Sequence, residues 1–301
     1  MLSLAYLLLF FAGSVLSAPA GLSSTTFPES RKKGAISILT PAEVASFKSF
    51  THFAASAFPP ELTLPWDCGK NCEANPDFNT TAAGGDGGSI QYWYVGYSPS
   101  HESVIVGYQG TDVEKIEAII TDLLAFQTGL DLANFPGVSS AVKVHLGFHE
   151  AHKRSSGEIL NAVKETIARH GAKKVITVGH SLGGALALLS GVFLPLHIPN
   201  VTFETVTYGM PRVGNPEFAD YVDTHLALRH INNKRDPVPI LPFADWNYRH
   251  PSGEIHIMDN NEWANCPGQE NPSTSCIVGA VPNLGASHPE DHPGPYDGVT
   301  I

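Results

Sequence analysis

The sequence predicts an α/β fold with a mostly parallel central sheet flanked by helices, and three observations lead to this class. Short segments rich in β-branched residues alternate with longer segments of helical periodicity, which is typical of a parallel sheet covered by helices. Hydrophobic residues make up 43% of the 301 residues and charged residues only 16%, so the chain can build a large core. The chain also has no internal repeat and no low-complexity linker, so we expect one domain.

Capping signals and apolar periodicity locate the helices. Thr40–Glu43 combines an N-cap threonine, a proline at the first helical position and a capping-box acid, which predicts a helix to about Ala57. Residues 158–170 place apolar side chains on one face, and Gly171 follows as the expected stop. Further helices are predicted over 181–191 and 216–226.

β-Branched and aromatic residues locate the strands. Residues 89–97 and 103–109 are rich in them and flank a turn cluster, so these two segments are expected to form a hairpin that joins the sheet. Later strands are predicted over 174–178, 203–208 and 226–232.

A G-x-S-x-G pentapeptide, Gly179 to Gly183, lies between a predicted strand and a predicted helix. When a strand turns directly into a helix, the two flanking positions come so close that glycine is needed, and the central serine stands above the sheet. The N–H groups at the start of the helix would stabilise negative charge at the same point. We therefore predict that Ser181 is a nucleophile with an exposed Oγ. The alternative is a glycine-rich turn that only packs a helix on a sheet.

A serine nucleophile requires a base and an orienting carboxylate, which in this arrangement follow in the order serine, acid, histidine. Asp236 follows the strand that ends near Asn232, and Pro237 begins a loop there. Asp220 and Asp223 lie in a predicted outer helix, where a solvated role is favoured. Asp236 is therefore the predicted acid.

Four histidines follow the predicted acid and are candidates for the base. His250 lies in a turn, and His256 lies in an alternating strand whose polar face is expected to be solvated, so both are expected to have structural or surface roles. His288 and His292 share a loop that can point back to the serine, and spacing alone does not separate them. An earlier histidine, His145, is expected to be a hydrogen-bonded core residue.

The one long apolar run, residues 2–16, predicts a secretory signal peptide. It is shorter than the roughly 18 residues that would span a bilayer, and the small residues 17–20 follow it where cleavage is expected, although no Lys or Arg precedes it. A first buried helix is the alternative. We assign residues 1–20 to the signal peptide and 21–301 to a single domain, and we expect a secreted, extracellular protein without a transmembrane segment.

The four cysteines are an even number, as expected in an oxidising compartment. The pairs Cys68 with Cys72 and Cys266 with Cys276 each close a short loop, so we predict these two disulfides among the three possible pairings. A zinc site is the alternative for the first spacing, but the pairs lie almost 200 residues apart. No metal is expected.

The surface is predicted to carry glycans and negative charge. Asn79 and Asn200 begin glycosylation sequons, whereas Pro272 blocks a third. The formal net charge is −11, from 18 Lys and Arg against 29 Asp and Glu. This charge repels phosphate backbones, so nucleic acid is not an expected partner.

Four segments in the same order resemble the fungal class 3 lipase family, which contains secreted lipases and feruloyl esterases. They are Val104–Thr111, the elbow Gly179–Ala185 (GHSLGGA), Tyr208–Asn215 and Asp236–Pro239. The likeness runs from about residue 89 to residue 292. It implies an α/β-hydrolase fold and a carboxylic ester hydrolase that needs no cofactor.

The same resemblance implies a catalytic triad of Ser181, Asp236 and His292. The histidine of the family commonly follows an aspartate and precedes a tyrosine, as His292 follows Asp291 and precedes Tyr296. Here the tyrosine comes one residue later than in the family pattern.

The resemblance also implies the oxyanion donors. The backbone N–H groups of Thr111 and Leu182 match the family's donors, while Gln109 stands where the family usually has arginine. Together with the triad, these donors imply two-step acyl transfer through an acyl-enzyme.

The segment after Thr111 has one apolar stripe at helical spacing, formed by Val113, Ile116, Ile120 and Leu123. A surface helix packed on the core is one interpretation. In similar lipases the corresponding segment is an amphipathic lid over the serine, and its opening would expose an apolar patch to a lipid surface. We expect the segment to be a lid, and an apolar lid favours a triacylglycerol lipase.

We expect an ester substrate at a lipid–water interface, a triacylglycerol lipase and a monomer. A feruloyl-type esterase or general carboxylesterase acting on plant cell-wall or soluble esters is the main alternative. A non-catalytic binding protein would require a missing triad member, and none is missing. A peptidase or thioesterase is suggested by analogy of fold alone.

Overall fold

The structure is a computed structural model that describes residues 34–111 and 126–301. The strands are β1 Ser37–Ile38, β2 Asn79–Gly84, β3 Trp93–Ser98, β4 Ser103–Tyr108, β5 Gln127–Gly129, β6 Lys143–His145, β7 Lys174–His180, β8 Thr202–Tyr208, β9 Ala227–Asn233, β10 Glu254–Ile257 and β11 Trp263–Cys266. The α-helices are α1 Pro41–Ala45, α2 Lys48–Ala54, α3 Pro60–Thr63, α4 Lys70–Glu73, α5 Leu146–His170, α6 Leu182–Phe193, α7 Pro216–His225 and α8 Ile277–Ala280.

A nine-stranded sheet in the order β1-β11-β10-β9-β8-β7-β4-β3-β2 forms the centre of the molecule. The five strands β4, β7, β8, β9 and β10 are parallel to their neighbours within this group. Antiparallel strands extend both edges. The predicted α/β class with a mostly parallel sheet is therefore confirmed. A separate two-stranded sheet joins β5 and β6.

Helices cover both faces of the sheet, and each face has its own core. Val104 and Val106 of β4 belong to the core beneath α5 and α6, whereas Ile105 belongs to the core beneath α2. This division follows from the strand geometry, because successive side chains point to opposite faces. All twelve residues of α6 are buried, which explains why its sequence is apolar on every side.

The carboxyl ends of the parallel strands place the predicted chemistry at one edge of the sheet. Strand β4 leads to Thr111, β7 leads directly to Ser181 and β9 leads to Asp236. In open α/β sheets this edge is where ligands bind. The topology therefore gathers residues that are more than 100 positions apart in the chain.

The first predicted helix is two helices. Its capping box forms as expected, since Thr40 Oγ1 accepts the Glu43 N–H (3.3 Å) and Glu43 accepts the Thr40 N–H (2.7 Å). The helix then ends because the Ser46 hydroxyl donates to the Glu43 carbonyl (2.6 Å), a side-chain bond that competes with the helical pattern.

Helix α5 begins twelve residues earlier than predicted. Its first turns bury polar side chains, including His149, His152 and Ser155, so apolar periodicity did not mark them. Gly171 ends the helix in the left-handed conformation with φ 63°, as expected of a glycine stop.

Both predicted cysteine pairs are bonded in the structure, Cys68 to Cys72 and Cys266 to Cys276. Asn79 and Asn200 are exposed, which a glycan attachment site requires. The predicted signal peptide lies outside the described residues. Within residues 34–111 and 126–301, no helix has the length and apolar character needed to cross a bilayer.

Candidate active site

Ser181 stands in a tight turn between β7 and α6. Its backbone has φ 57° and ψ −125°, a strained conformation for a residue other than glycine. A Cβ atom on Gly179 would lie 2.2 Å from the Gly183 carbonyl oxygen, and one on Gly183 would lie 2.4 Å from the Tyr108 carbonyl oxygen. The two glycines of the pentapeptide are thus required for the turn. The Ser181 N–H donates to the carbonyl of Tyr208 (2.9 Å), which ties the turn to the next strand.

Asp236 and His292 form a hydrogen-bonded pair beside the turn. The distance from His292 Nδ1 to Asp236 Oδ2 is 2.8 Å, and neither residue has exposed surface. The other carboxylate oxygen of Asp236 accepts the Val238 N–H (2.8 Å). These two bonds fix the carboxylate, so His292 is oriented with Nδ1 towards the acid and Nε2 away from it.

The structure separates His292 from His288, which spacing did not. The side chain of His288 is 52% exposed, and its nearest acidic oxygens, on Glu290 and Asp291, lie 3.8 and 3.9 Å away. His292 is instead fully buried against Asp236. The base predicted from the family resemblance is therefore the histidine that the fold brings to the acid.

The loops that carry the acid and the histidine are joined by three hydrogen bonds. The Arg235 N–H donates to Asp291 Oδ2 (3.1 Å), and the His288 N–H donates to the Arg235 carbonyl (2.7 Å). The Asn233 amide also donates to the Asp291 carbonyl (2.9 Å). Asp291 therefore holds the two loops together directly before His292.

Ser181 Oγ and His292 Nε2 are buried, and neither has a hydrogen-bond partner in the described part of the chain. The expectation of an exposed Oγ is wrong, since Ser181 has no exposed surface. A pentapeptide determines the local turn, but it does not show which distant segments pack over it. Ser181 Oγ and His292 Nε2 are therefore not hydrogen-bonded to each other here, and the bond between a nucleophile and its base is often long before substrate binds.

His180, the residue before Ser181, holds the His292 backbone. The distance from His180 Nε2 to the His292 carbonyl oxygen is 2.9 Å, and the two ring centroids lie 4.4 Å apart. Burial and the neighbouring His292 keep the pKa of His180 well below its usual range. His180 is thus a neutral ring that donates through Nε2. The Tyr296 hydroxyl donates to the same carbonyl (3.0 Å).

Gly209 provides the space in which the acid and histidine meet. It follows β8 with φ 51°, and a Cβ atom there would lie 2.8 Å from Asp236 Oδ2 and 3.0 Å from the His292 ring. Gly209 lies in the segment Tyr208–Asn215 that resembles the family, but the sequence analysis assigned it no role. The sequence signal for it is a glycine that directly follows a buried strand and precedes Met-Pro-Arg.

The two predicted oxyanion donors belong to the two segments next to the serine, the start of α6 and the loop after β4. Leu182 is the first residue of α6, where backbone N–H groups have no partner within the helix. Thr111 follows Gly110, whose Cβ position lies 3.5 Å from the Ser181 Cβ. Gln109, in the place of the usual arginine, accepts the Tyr92 N–H through Oε1 (3.1 Å) and so braces this loop.

The lid candidates Val113, Ile116, Ile120 and Leu123 lie outside the described residues. The lid therefore stays a prediction from the sequence.

An ion pair between buried Arg212 and partly exposed Glu270 supports the loop that follows Asp236, and sequence reasoning missed it. Arg212 donates to both carboxylate oxygens of Glu270 (2.8 and 2.7 Å). The same guanidinium donates to the carbonyls of Ile240 and Pro242 (3.0 Å for the latter). Burial acts to raise the pKa of Glu270, but the hydrogen bonds and charge of Arg212 outweigh it and lower that pKa to about 2. Glu270 lies in the Cys266–Cys276 loop, where nothing in the sequence indicated a partner.

Three further histidines, His256, His250 and His145, lie in the interior, and only His256 and His145 depart from the prediction. His256 is 2% exposed, so it does not lie on a solvated face. Its ring nitrogens lie 2.9 and 2.7 Å from the carbonyls of Ser275 and Lys234. His250 is also buried, with Nε2 2.8 Å from the Pro239 carbonyl. His145 is a core residue, but neither ring nitrogen has a hydrogen-bond partner among the described residues. Burial lowers the pKa of His145 to about 4.

One group of potential metal ligands exists in the described ranges, Glu254 with Cys266 and Cys276. The two cysteines are bonded to each other, so they offer no thiolate. Burial raises the pKa of Glu254 to about 7, and its carboxylate accepts the Ile277 N–H (2.6 Å). This group is therefore a structural contact and not a metal centre.

Comparison with known proteins identifies the family. The family model described as lipase (class 3) matches residues 105–246. A lipase of Rhizopus niveus is 30% identical over 270 residues, which cover 88% of this chain and 67% of that protein. The chain belongs to the class 3 lipase family.

Other lipases agree with this assignment. A secreted mono- and diacylglycerol lipase of Malassezia globosa is 32% identical over 216 residues, covering 70% of this chain and 69% of that protein. A solved triacylglycerol lipase whose catalytic centre is a serine protease triad superposes with a TM-score of 0.76 and 27% identity. That alignment covers 88% of this chain and 98% of the solved chain. This class 3 lipase has the α/β-hydrolase fold and is a carboxylic ester hydrolase, as the sequence predicted.

Proposed function

We propose that the protein is a secreted triacylglycerol lipase in which Ser181, His292 and Asp236 form the catalytic triad. The buried hydrogen bond of 2.8 Å between His292 and Asp236, beside the unpartnered Ser181 hydroxyl, carries this proposal. A buried carboxylate that accepts from Nδ1 holds the imidazole in the tautomer whose Nε2 can take a proton. The family membership and the triad of the solved triacylglycerol lipase support these roles.

In the first step His292 Nε2 takes the Ser181 proton while Oγ attacks the ester carbonyl carbon. The carbonyl oxygen becomes an oxyanion, which the N–H groups of Leu182 and Thr111 bind. The C–O bond to the alcohol then breaks, and His292 gives its proton to the leaving alcohol. The product of this step is an acyl-enzyme on Ser181, with Asp236 having stabilised the transient imidazolium throughout.

In the second step water replaces the alcohol. His292 takes a proton from the water as it attacks the acyl carbonyl, and the same two N–H groups bind the new oxyanion. The proton returns to Ser181 Oγ when the acyl–serine bond breaks, which releases the carboxylic acid. The reaction uses only the chain's own residues and water, and we propose no metal or cofactor for it.

The relatives and the burial of the catalytic residues support the proposed substrate class and the extracellular location of the enzyme. The relatives include a secreted mono- and diacylglycerol lipase, and the apolar N-terminal run predicts a signal peptide, so we propose an extracellular enzyme. Ser181 and His292 have no exposed surface, so part of their covering must move before an ester can reach them. A lipid surface that favours this opening would make the enzyme most active on emulsified substrate. We propose a monomer consisting of one catalytic domain.

The proposal is tested by the rates on triolein emulsion, methyl ferulate and short p-nitrophenyl esters, measured with wild type and Ser181→Ala. We expect the wild type to hydrolyse triolein with a rate increase once droplets form, and Ser181→Ala to be inactive on every substrate. Equal thermal stability of the two proteins is the folding control. Preference for methyl ferulate would keep the triad and replace the lipase by a feruloyl-type esterase. Full activity of Ser181→Ala would reject the nucleophile.

A further inference from the structure

The strand that leads to the predicted oxyanion donor Thr111 ends in a buried tyrosine, and the mechanism above does not use its hydroxyl. Tyr108 is the last residue of β4 and has no exposed surface. Its hydroxyl forms a hydrogen bond with the hydroxyl of Ser190, a residue of α6 that is 1% exposed. Leu182, the residue of the second predicted donor, begins the same helix. The bond therefore joins the two elements that carry the two donors.

The backbone at the end of β4 also lies against α6. A Cβ atom on Gly183 would lie 2.4 Å from the Tyr108 carbonyl oxygen and 2.7 Å from the Gln109 carbonyl oxygen. The strand end thus meets the first turn of the helix with no room for a side chain between them. Ser190 follows Gly183 by about two helical turns, so Tyr108 meets the helix at two points about 10 Å apart along its axis.

Ser190 is itself held by a third buried group. The distance from Ser190 Oγ to His152 Nε2, in α5, is 3.0 Å. Burial lowers the pKa of His152 to about 3, so the ring is neutral and its Nε2 forms an uncharged hydrogen bond with the hydroxyl. Ser190 Oγ therefore pairs with Tyr108 on one side and with His152 on the other. Buried polar groups that are all paired favour one packing arrangement over others.

Strand β3 holds the same segment from a different direction. The Gln109 N–H donates to the Tyr92 carbonyl (2.8 Å), and Gln109 Oε1 accepts the Tyr92 N–H (3.1 Å). These bonds lie along the sheet, whereas side chains of a strand stand roughly perpendicular to it. The Tyr108 hydroxyl therefore restrains the segment before Thr111 in the direction that the sheet bonds leave free, towards and away from α6.

We propose that the Tyr108 hydroxyl is a positioning group for the oxyanion hole: through Ser190 it holds the end of β4 against α6 and so sets the separation of the Thr111 and Leu182 N–H groups. This inference rests on the proposed function and adds to it a residue outside the triad. A donor is effective only about 2.7–3.1 Å from the oxyanion. A small shift of the loop after β4 would therefore weaken binding of the transition state more than binding of the ester.

The test compares wild type with Tyr108→Phe, which removes the hydroxyl and keeps the ring. Tyr94→Phe is the matched control, because Tyr94 is fully buried in β3 and its hydroxyl donates to the Phe53 carbonyl (2.6 Å). Tyr94 belongs to the core on the opposite face of the sheet from Tyr108. Each variant loses one buried hydrogen bond, so a loss of stability alone should affect both variants alike.

Two substrates report on the oxyanion hole. One is p-nitrophenyl butyrate, and the other is its thiono analogue, in which sulfur replaces the carbonyl oxygen. Because sulfur is a weak hydrogen-bond acceptor, hydrolysis of the thiono ester depends less on the oxyanion donors but uses the same triad. The ratio of the two rates therefore separates an effect on the donors from an effect on the triad.

We expect Tyr108→Phe to lower kcat on p-nitrophenyl butyrate about five- to tenfold, part of the roughly 10²-fold or greater loss caused by removing a donor outright. KM should stay nearly constant, and the thiono ester should lose much less. Tyr94→Phe should lower Tm about as much as Tyr108→Phe and retain the wild-type kcat on both esters. Ser190→Ala, which removes the partner of Tyr108, should show the same preferential loss on the oxygen ester.

An unchanged kcat in Tyr108→Phe, or an equal loss on the two esters, would overturn the positioning role and leave the proposed function intact. An equal loss of kcat in Tyr94→Phe would attribute the effect to stability and would also reject the role. If Tyr108→Phe fails to fold, the rate ratio of Ser190→Ala decides in the same way. Absence of ester hydrolysis by the wild type would overturn both this inference and the proposed function.

Discussion

The ring of His180 donates a hydrogen bond to the carbonyl oxygen of His292, across a distance of 2.9 Å and 112 positions of sequence. The residue directly before the nucleophile therefore holds the residue that acts as its base. Since His180 is buried and neutral, it carries one ring proton, and the bond to the carbonyl places that proton on Nε2. The spacing between Ser181 and His292 thus depends on a bond from the His180 side chain to the His292 backbone, in addition to the triad itself.

Removal of this bond should slow catalysis without changing the fold. His180→Phe retains the ring shape but has no donor, so we expect kcat on p-nitrophenyl butyrate to fall about five- to tenfold, in line with about 1 kcal/mol for one hydrogen bond. His180→Gln keeps an N–H donor and should recover part of the loss. Equal kcat values for the wild type and His180→Phe would contradict this role.

Gly209→Ala should impair the acid–histidine pair. The new Cβ would lie 2.8 Å from Asp236 Oδ2 and 3.0 Å from the His292 ring, so one of the two side chains must move. Because a misplacement of about 1 Å can cost on the order of 10²-fold in rate, we expect a drop of this size in kcat, measured with p-nitrophenyl butyrate.

Gly298→Ala is the matched control for Gly209→Ala. Gly298 also has a positive φ, 78°, but no atom lies within 4 Å of its Cβ position. It should show a similar backbone strain and nearly normal kcat. A comparable loss of activity in both variants would attribute the effect to backbone strain and not to the triad.

Glu270→Gln should weaken the support of the Asp236 loop. The substitution keeps the shape of the side chain but removes the charge that faces buried Arg212. Buried Arg212 would lose its charged partner, so Tm should fall and kcat should fall with it, while KM for a short ester stays nearly constant. The surface pair Arg169–Glu165 provides the control, since Glu165→Gln should change neither quantity. An unaltered kcat in Glu270→Gln would show that the ion pair is not needed to position Asp236.

Buried histidines should make the protein labile in acid. Burial lowers the pKa of His152 to about 3 and those of His145 and His250 to about 4, against about 6.5 for an exposed histidine. Between about pH 6.5 and 4 the unfolded chain therefore binds more protons than the folded one, so the free energy of unfolding falls as the pH falls through this window. Glu254, with a pKa raised to about 7, has the opposite sign but is a single group.

The pH effect is measured by urea unfolding between pH 4 and 7. His250→Gln removes one of the three groups and should flatten the dependence of unfolding free energy on pH. A variant with the slope of the wild type would show that His250 does not contribute to acid lability.

The sequence was most informative where the local chain determines the geometry. The elbow around Ser181, the stop at Gly171 and the two short disulfide loops depend on residues within a few positions of each other, so pattern reasoning reached them. Spacing alone left His288 and His292 unresolved, because the loop that carries them is positioned by bonds from Arg235 and Asn233 on another strand end. The resemblance to the lipase family indicated His292, and the fold explains why His292 and not His288 meets Asp236.

The parts that sequence did not predict are those built by long-range burial of polar groups. Glu270 reaches Arg212 across 58 positions, and His256 contacts two carbonyls from different loops. The early turns of α5 were missed for the same reason, since their buried face contains histidine and serine where periodicity looks for apolar residues. The sequence does not reveal which distant polar groups will form hydrogen bonds, because the fold brings them together.

The role of Ser181 as the nucleophile is tested by covalent labelling with ethyl p-nitrophenyl hexylphosphonate followed by peptide mass spectrometry. We expect one phosphonate per chain, attached to the peptide that contains Ser181, with activity lost in proportion to labelling. Inactivation accompanied by label on another residue, with Ser181 unmodified, would contradict it.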